Sequence, residues 1–127
     1  MKRLAAFTIL LTSITASAAE MPCSIHPKKG TAASELPALA KVSPADAQRT
    51  ALASIKAPPT SPVPDGELEI EHGCLVYSFD IRVPGRSGIE EVMVDPGNGK
   101  VLSRKHESAR QEAAEQAKDK AARGKPQ

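Results

Sequence analysis

Between Leu75 and Val83 every second residue is apolar: Leu75, Tyr77, Phe79, Ile81 and Val83, with Val76, Ser78, Asp80 and Arg82 between them. Successive side chains of a strand point to opposite faces, so this alternation predicts a strand with one face in the core. It is the strongest pattern in the chain. Before it, Leu68 and Ile70 alternate with Glu67, Glu69 and Glu71, which predicts a first strand over 67–71. Gly73 then allows a tight turn or a bulge. After it, Pro84-Gly85-Arg86-Ser87-Gly88 reads as a hairpin loop and Ile89 to Val94 as a third strand, with Val92 and Val94 on one face. Asp95-Pro96-Gly97-Asn98-Gly99 is a dense turn signal, and Lys100 to Arg104 offers a short last strand.

Helical signals lie on either side of this block. Ser43 is placed to cap a helix whose first residue is Pro44, a position where the missing N–H costs nothing. Asp46 sits near the positive end of the helix dipole, and Val42 can staple against Ala47. The helix is expected to reach about Lys56, with Gln48, Ala51, Leu52 and Ile55 as a narrow inward face. Pro58, Pro59, Pro62 and Pro64 follow as a stiff connector. At the other end, Ala109, Ala113, Ala117 and Ala121 recur every fourth residue in an otherwise polar run. These residues favour helix, but an alanine stripe buries little area, so a frayed surface helix or helical tail is expected. The fold class is therefore α+β: one N-terminal helix packed on a three- to four-stranded antiparallel sheet, with a C-terminal helical tail.

The chain has 127 residues with 17 Lys and Arg against 15 Asp and Glu. Lys2 and Arg3, a mostly apolar Leu4 to Thr15, and the small residues Ala16-Ser17-Ala18-Ala19 have the form of a secretory signal peptide. Cleavage there would leave about 108 residues, room for one domain. It would also place the protein in the periplasm or outside the cell, since the apolar run is too short to span a bilayer. The organisation expected is signal peptide 1–19, flexible leader 20–41, folded domain 42–105 and charged, Ala-rich helical tail 106–127. Without Lys2 and Arg3 the acids and bases balance, which removes any global field for nucleic acid. Past the signal-like segment Tyr77 and Phe79 are the only aromatic residues, too few for base stacking.

Cys23 and Cys74 are the only cysteines. In an oxidising compartment they are expected to pair, tying the leader to the start of the main strand across its outer side. The bridge would favour the folded state by about 4 kcal/mol through loop-closure entropy. The same cysteines with His26 and His72 form an alternative set of thiolates and imidazoles, suited to zinc or copper(I), although oxidation would consume both thiolates. Neither metal nor cofactor is expected on balance. Catalytic residues are not expected either: Ser43 is explained as a cap, and His26, His72 and His106 have no evident companion acid. Glu90 and Glu91 alternate on a strand and so cannot face one substrate together.

From Ser43 to Arg104 the chain resembles the PepSY domain family. The likeness is carried by Ser43-Pro44-Ala45-Asp46-Ala47, by Val76-Tyr77-Ser78-Phe79-Asp80-Ile81, and by the segment Val92-Met93-Val94-Asp95-Pro96-Gly97-Asn98-Gly99-Lys100-Val101-Leu102. Asn98 stands where the family more often has Thr, and can still bond to its own turn. The resemblance implies a non-catalytic exported module that binds or restrains a protein partner, such as a periplasmic peptidase. The alternative is a structural or envelope-stress protein without a peptide site. The likeness carries over no catalytic residue; Ser43, Tyr77, Phe79, Asp95 and Gly99 are structural markers. An edge strand, the first one by preference, could accept an extended peptide, while its glutamates guard it against aggregation.

Overall fold

The computed structural model describes residues 21–58, 63 and 65–124. The signal-like segment 1–19 and most of the proline connector lie outside the described residues. Helix α1 spans Pro44–Ser54 and precedes four strands: β1 (Glu67–Glu71), β2 (Cys74–Ile81), β3 (Ile89–Val94) and β4 (Val101–Glu107). Helix α2 (Ala109–Arg123) closes the described chain. The strands form one antiparallel sheet in sequence order, β1-β2-β3-β4, so each pairs with its neighbour in the chain. The expected α+β architecture is the one observed, with four strands.

Helix α1 forms where its caps say it should. The Ser43 side chain accepts from the Asp46 N–H, and Pro44 opens the first turn. The helix does not wait for the prolines to end it. Lys56 takes a left-handed conformation (φ 53°), and the N–H groups of Lys56 and Ala57 return to the carbonyls of Ala53 and Leu52. This is a Schellman stop with lysine where glycine is usual. Two guanidinium groups close the same end from the sheet side: Arg104 donates to the Ser54 carbonyl at 2.7 Å and Arg86 to that of Ile55 at 3.5 Å.

The inward face of α1 is Ala47, Ala51 and Ile55, all buried. It lies on Tyr77, Phe79, Ile81, Val83, Val92 and Val94, and these nine residues are the core. Alanines at the contact let the helix sit close to the sheet, so two aromatic rings suffice to fill the layer. Tyr77 and Phe79 are in tilted contact at 6.3 Å between ring centroids. The Tyr77 hydroxyl donates to the Val42 carbonyl at 2.9 Å, fixing the chain where it enters α1. Register follows the pleat: Leu68 opposite Tyr77, Tyr77 opposite Val94 and Phe79 opposite Val92 all share the inner face.

Three expectations need correction. Within the expected flexible leader, the described residues 21–41 carry regular structure: Ala33–Leu39 forms a 3-10 helix packed against β1, with Leu36 buried. Glu35 accepts from the Ala32 N–H at 2.9 Å to start that turn, and Pro37 inside it lacks the donor that a regular α-helix would need. The last strand is longer than Lys100 to Arg104 and runs to Glu107, so the boundary at 105/106 falls inside β4. A shift of register between Met93 and Val94 absorbs one extra residue, which lets the strand continue after the turn. Within the expected tail 106–127 the helix begins only at Ala109. Ser108 caps it by accepting from Gln111 N–H, and the Gln111 side chain accepts from Ser108 N–H at 3.0 Å.

Removing the more deeply buried ring of the core should be costly. Phe79→Ala is expected to destabilise the domain by about 3–5 kcal/mol, read as a lower urea midpoint at unchanged slope.

Candidate functional site

The β1–β2 connection is the two-residue turn His72-Gly73, both with positive φ (48° and 79°), so β2 starts at once with Cys74. Strand β3 pairs with β2 only from Tyr77 onward, because the chain leaves the sheet at Asp95. The first three residues of β2 thus lack a partner from β3. The leader takes that place. Leu75 N–H donates to the Ile25 carbonyl at 3.0 Å, and Cys23 is disulfide-bonded to Cys74, their Cα atoms 5.9 Å apart. A backbone bond to Leu75 lies in the plane of the sheet. The leader therefore arrives alongside β2, in line with β3, and does not cross over the outer face as expected. Cys74 does point away from the Tyr77 face, as strand parity requires.

Asp95 locks this junction. Its carboxylate, 0% exposed, accepts from Ser24 N–H at 2.7 Å, Ser24 Oγ at 2.6 Å, Gly97 N–H at 2.7 Å and Asn98 N–H at 3.4 Å. Burial pushes its carboxyl up, but the bonds from Ser24, Gly97 and Asn98 outweigh it and hold the group below its ordinary value of 3.8. Gly97 has no side chain for a steric reason: a Cβ there would lie 2.1 Å from Ser24 Oγ. The turn closes with Gly99 N–H on the Asp95 carbonyl and Lys100 N–H on Asn98 Oδ1 at 2.9 Å. Lys41 and Val42 donate to the Pro96 carbonyl, so the same turn also holds the entrance to α1. Sequence reasoning named Asp95 and Gly99 as markers but missed Ser24, the partner that the Asp95 carboxylate holds. The signal was present only as a serine beside a cysteine.

Around the disulfide, Met21, Pro22, Cys23, His26, His72 and Cys74 line a cavity of about 360 Å³. Both ring nitrogens of His26 lie 3.7 Å from Cys23 Sγ. The ligand atoms of Cys23, His26 and Cys74 all fall within 4.8 Å of one another. His72 faces the same cavity from the turn, and its Nε2 is 3.4 Å from Glu71.

A second cluster sits where α1 ends over β3 and β4. His106 Nδ1 is 2.9 Å from Glu90 Oε1, so His106 has the companion acid that the sequence did not reveal. The pairing follows from register, Glu90 opposite His106. Lys56, Arg86 and Arg104 line the cavity of about 410 Å³ beside it. Glu91 lies on the opposite face, as alternation requires.

The outer face of the sheet is acidic. Partial burial, then Asp80 and Glu107, pushes the Glu91 carboxyl up; partial burial, then Glu67 and residues Glu112 and Glu115 of α2, raises Asp80. Glu69 is raised by burial and by its neighbours Glu67 and Glu71. One ion pair, Arg82 with Glu112, ties the first turn of α2 to this face. The rest of α2 is exposed.

No family model, curated protein or solved structure matches this chain. Among the described residues no helix is long and apolar enough to cross a membrane.

Breaking the bridge and breaking the clamp should have separable costs. Reduction is expected to lower stability by about 4 kcal/mol or less. Asp95→Asn should cost about 2–3 kcal/mol with the disulfide intact, both read by urea unfolding. The pH profile has two limbs. Carboxyls raised by folding keep protons that the unfolded chain has released, so acidifying from neutrality toward 4.5 and 3.8 stabilises the fold through Glu69, Glu91 and Asp80. The Asp95 contribution is complete above 3.8 and is lost as pH falls through its depressed value. Thermal melts should therefore show Tm rising on mild acidification and dropping at lower pH. Glu91→Gln is expected to flatten the rise, and Asp95→Asn to weaken the drop.

Proposed function

We propose that this chain is a non-catalytic, exported binding module that takes an extended segment of a partner protein along the free edge of β1. The observation that carries this reading is that, among the described residues, β1 pairs only with β2 and carries a row of glutamates on one face. Glu67, Glu69 and Glu71 share the outer side, while Leu68 and Ile70 share the inner side, with Ile70 40% exposed. A strand added there would place alternate side chains against the carboxylates and against the apolar pair. Beside Leu68, a cavity of about 380 Å³ opens between the 3-10 helix, the start of α1 and Tyr77, lined mainly by Pro37, Ala40, Val42 and Pro44. The chemistry that fits is an extended peptide alternating Lys or Arg with small apolar residues.

The signal-like N-terminus and the disulfide support an address in the periplasm or outside the cell. The resemblance of residues 43–104 to PepSY domains supports a restraining role, in which the partner is a peptidase and the bound segment comes from its cleft region. One observation favours the structural alternative: the same three glutamates repel a second acidic edge and so protect a bare strand.

A short peptide alternating Lys and Val, titrated into the protein and followed by amide chemical shifts, discriminates between them. Shifts confined to β1 and to Leu68's neighbours, abolished by Glu67→Gln/Glu69→Gln/Glu71→Gln and weakened by salt, are expected. Absence of binding, or shifts away from β1, would leave the structural reading.

A further inference from the structure

The corner where the leader meets β2 holds more donor atoms than a structural bridge needs. We propose that reduction of the Cys23–Cys74 bond converts this corner into a site for a closed-shell thiophilic cation, zinc(II) or copper(I), held by both thiolates and the His26 imidazole. The fourth position faces the cavity that His72 lines.

Three observations carry this inference. The first is geometric. In a tetrahedral zinc site, a sulfur about 2.3 Å and a nitrogen about 2.0 Å from the metal stand about 3.6 Å apart. The His26 ring nitrogens already lie 3.7 Å from Cys23 Sγ. Two thiolates on one zinc stand about 3.8 Å apart, a separation that rotation about the Cα–Cβ bonds can reach with the Cα atoms at 5.9 Å.

The second is that the sulfurs do not depend on their own bond to stay together. Ser24, next to Cys23, is held by the Asp95 carboxylate through both its N–H and its hydroxyl, and Ile25 is hydrogen-bonded to Leu75, next to Cys74. Cleaving the S–S bond leaves these contacts in place, so both thiols are presented to the same point. Preorganisation of this kind is what separates a metal site from two cysteines that happen to be near. The third is the character of the donors: thiolate and imidazole select zinc and copper(I) over the harder cations.

The chemistry balances with a dithiol as the reductant. A dithiol gives two electrons and two protons to the bridge and is itself left as a disulfide; Cys23 and Cys74 become thiols. Metal binding then releases the two thiol protons and forms two metal–sulfur bonds. A disulfide oxidant would take two electrons from the loaded thiolates, pick up two protons and leave as a dithiol, expelling the cation and restoring the bridge, so loading reports the thiol–disulfide poise around the protein.

The test uses the full chain, reduced with a phosphine and kept free of oxygen, with circular dichroism to verify the fold. Zinc is titrated against a chromophoric chelator, and copper(I) against a competing copper(I) chelator. The reduced protein is expected to bind one equivalent of at least one of the two ions well below about 10 μM, and the oxidised protein not to compete. His26→Ala, a change at an exposed position, should keep the fold and weaken binding at least about tenfold. Cobalt(II) in place of zinc should show thiolate charge-transfer absorption that His26→Ala alters. The proposal is overturned if reduced protein binds neither ion below about 10 μM, if His26→Ala binds as tightly as the parent, or if reduction alone unfolds the chain.

Discussion

The buried carboxylate of Asp95 is the interaction on which the arrangement of the molecule turns. It lies where β3 leaves the sheet, and its acceptors are filled from two directions: by the turn that leads into β4 and by Ser24 of the leader. A carboxylate out of contact with water is tolerable only when such donors replace the solvent it has lost. Each donor therefore constrains the others. The turn cannot open without stranding the charge, and the leader cannot leave without doing the same. The carbonyl of the next residue, Pro96, receives Lys41 and Val42, which couples the clamp to the helix that covers the core.

The helix and sheet were legible because their signals are local. Ser43 and Pro44 mark a helix start by what they do to orphan backbone donors, and Leu75 to Val83 mark a strand by parity alone. The disulfide was also accessible, since two cysteines leave one pairing. The 3-10 helix was not legible: Ala33–Leu39 is held by tertiary packing of Leu36, and nothing in its composition has a period. The length of β4 was missed because Arg104, Lys105 and His106 look like a solvated run. On an edge strand such residues keep their backbone pairing while their heads reach out to Ser54, Glu107 and Glu90.

The site around Cys23 shows a different limit. Residue types with the right chemistry, Cys23, His26, His72 and Cys74, were visible, but their spacing was too loose to bring them together. What brings them together is the contact between Ser24 and Asp95, separated by 71 positions. A two-residue turn adds His72 because Gly73 can adopt the conformation the hairpin requires. Proximity here is a property of the folded sheet.

That dependence also sets an order of assembly. Residues 21–27 leave the ribosome before β2 and the Asp95 turn, so they have nothing to dock on until those have been made. Loop closure over distances of this kind is slow relative to hairpin formation between adjacent strands. The N-terminal strap is thus an early-synthesised, late-arriving piece, and its cysteine waits, exposed, for a template built by the C-terminal half. A thiol-handling helper would meet the protein in that interval.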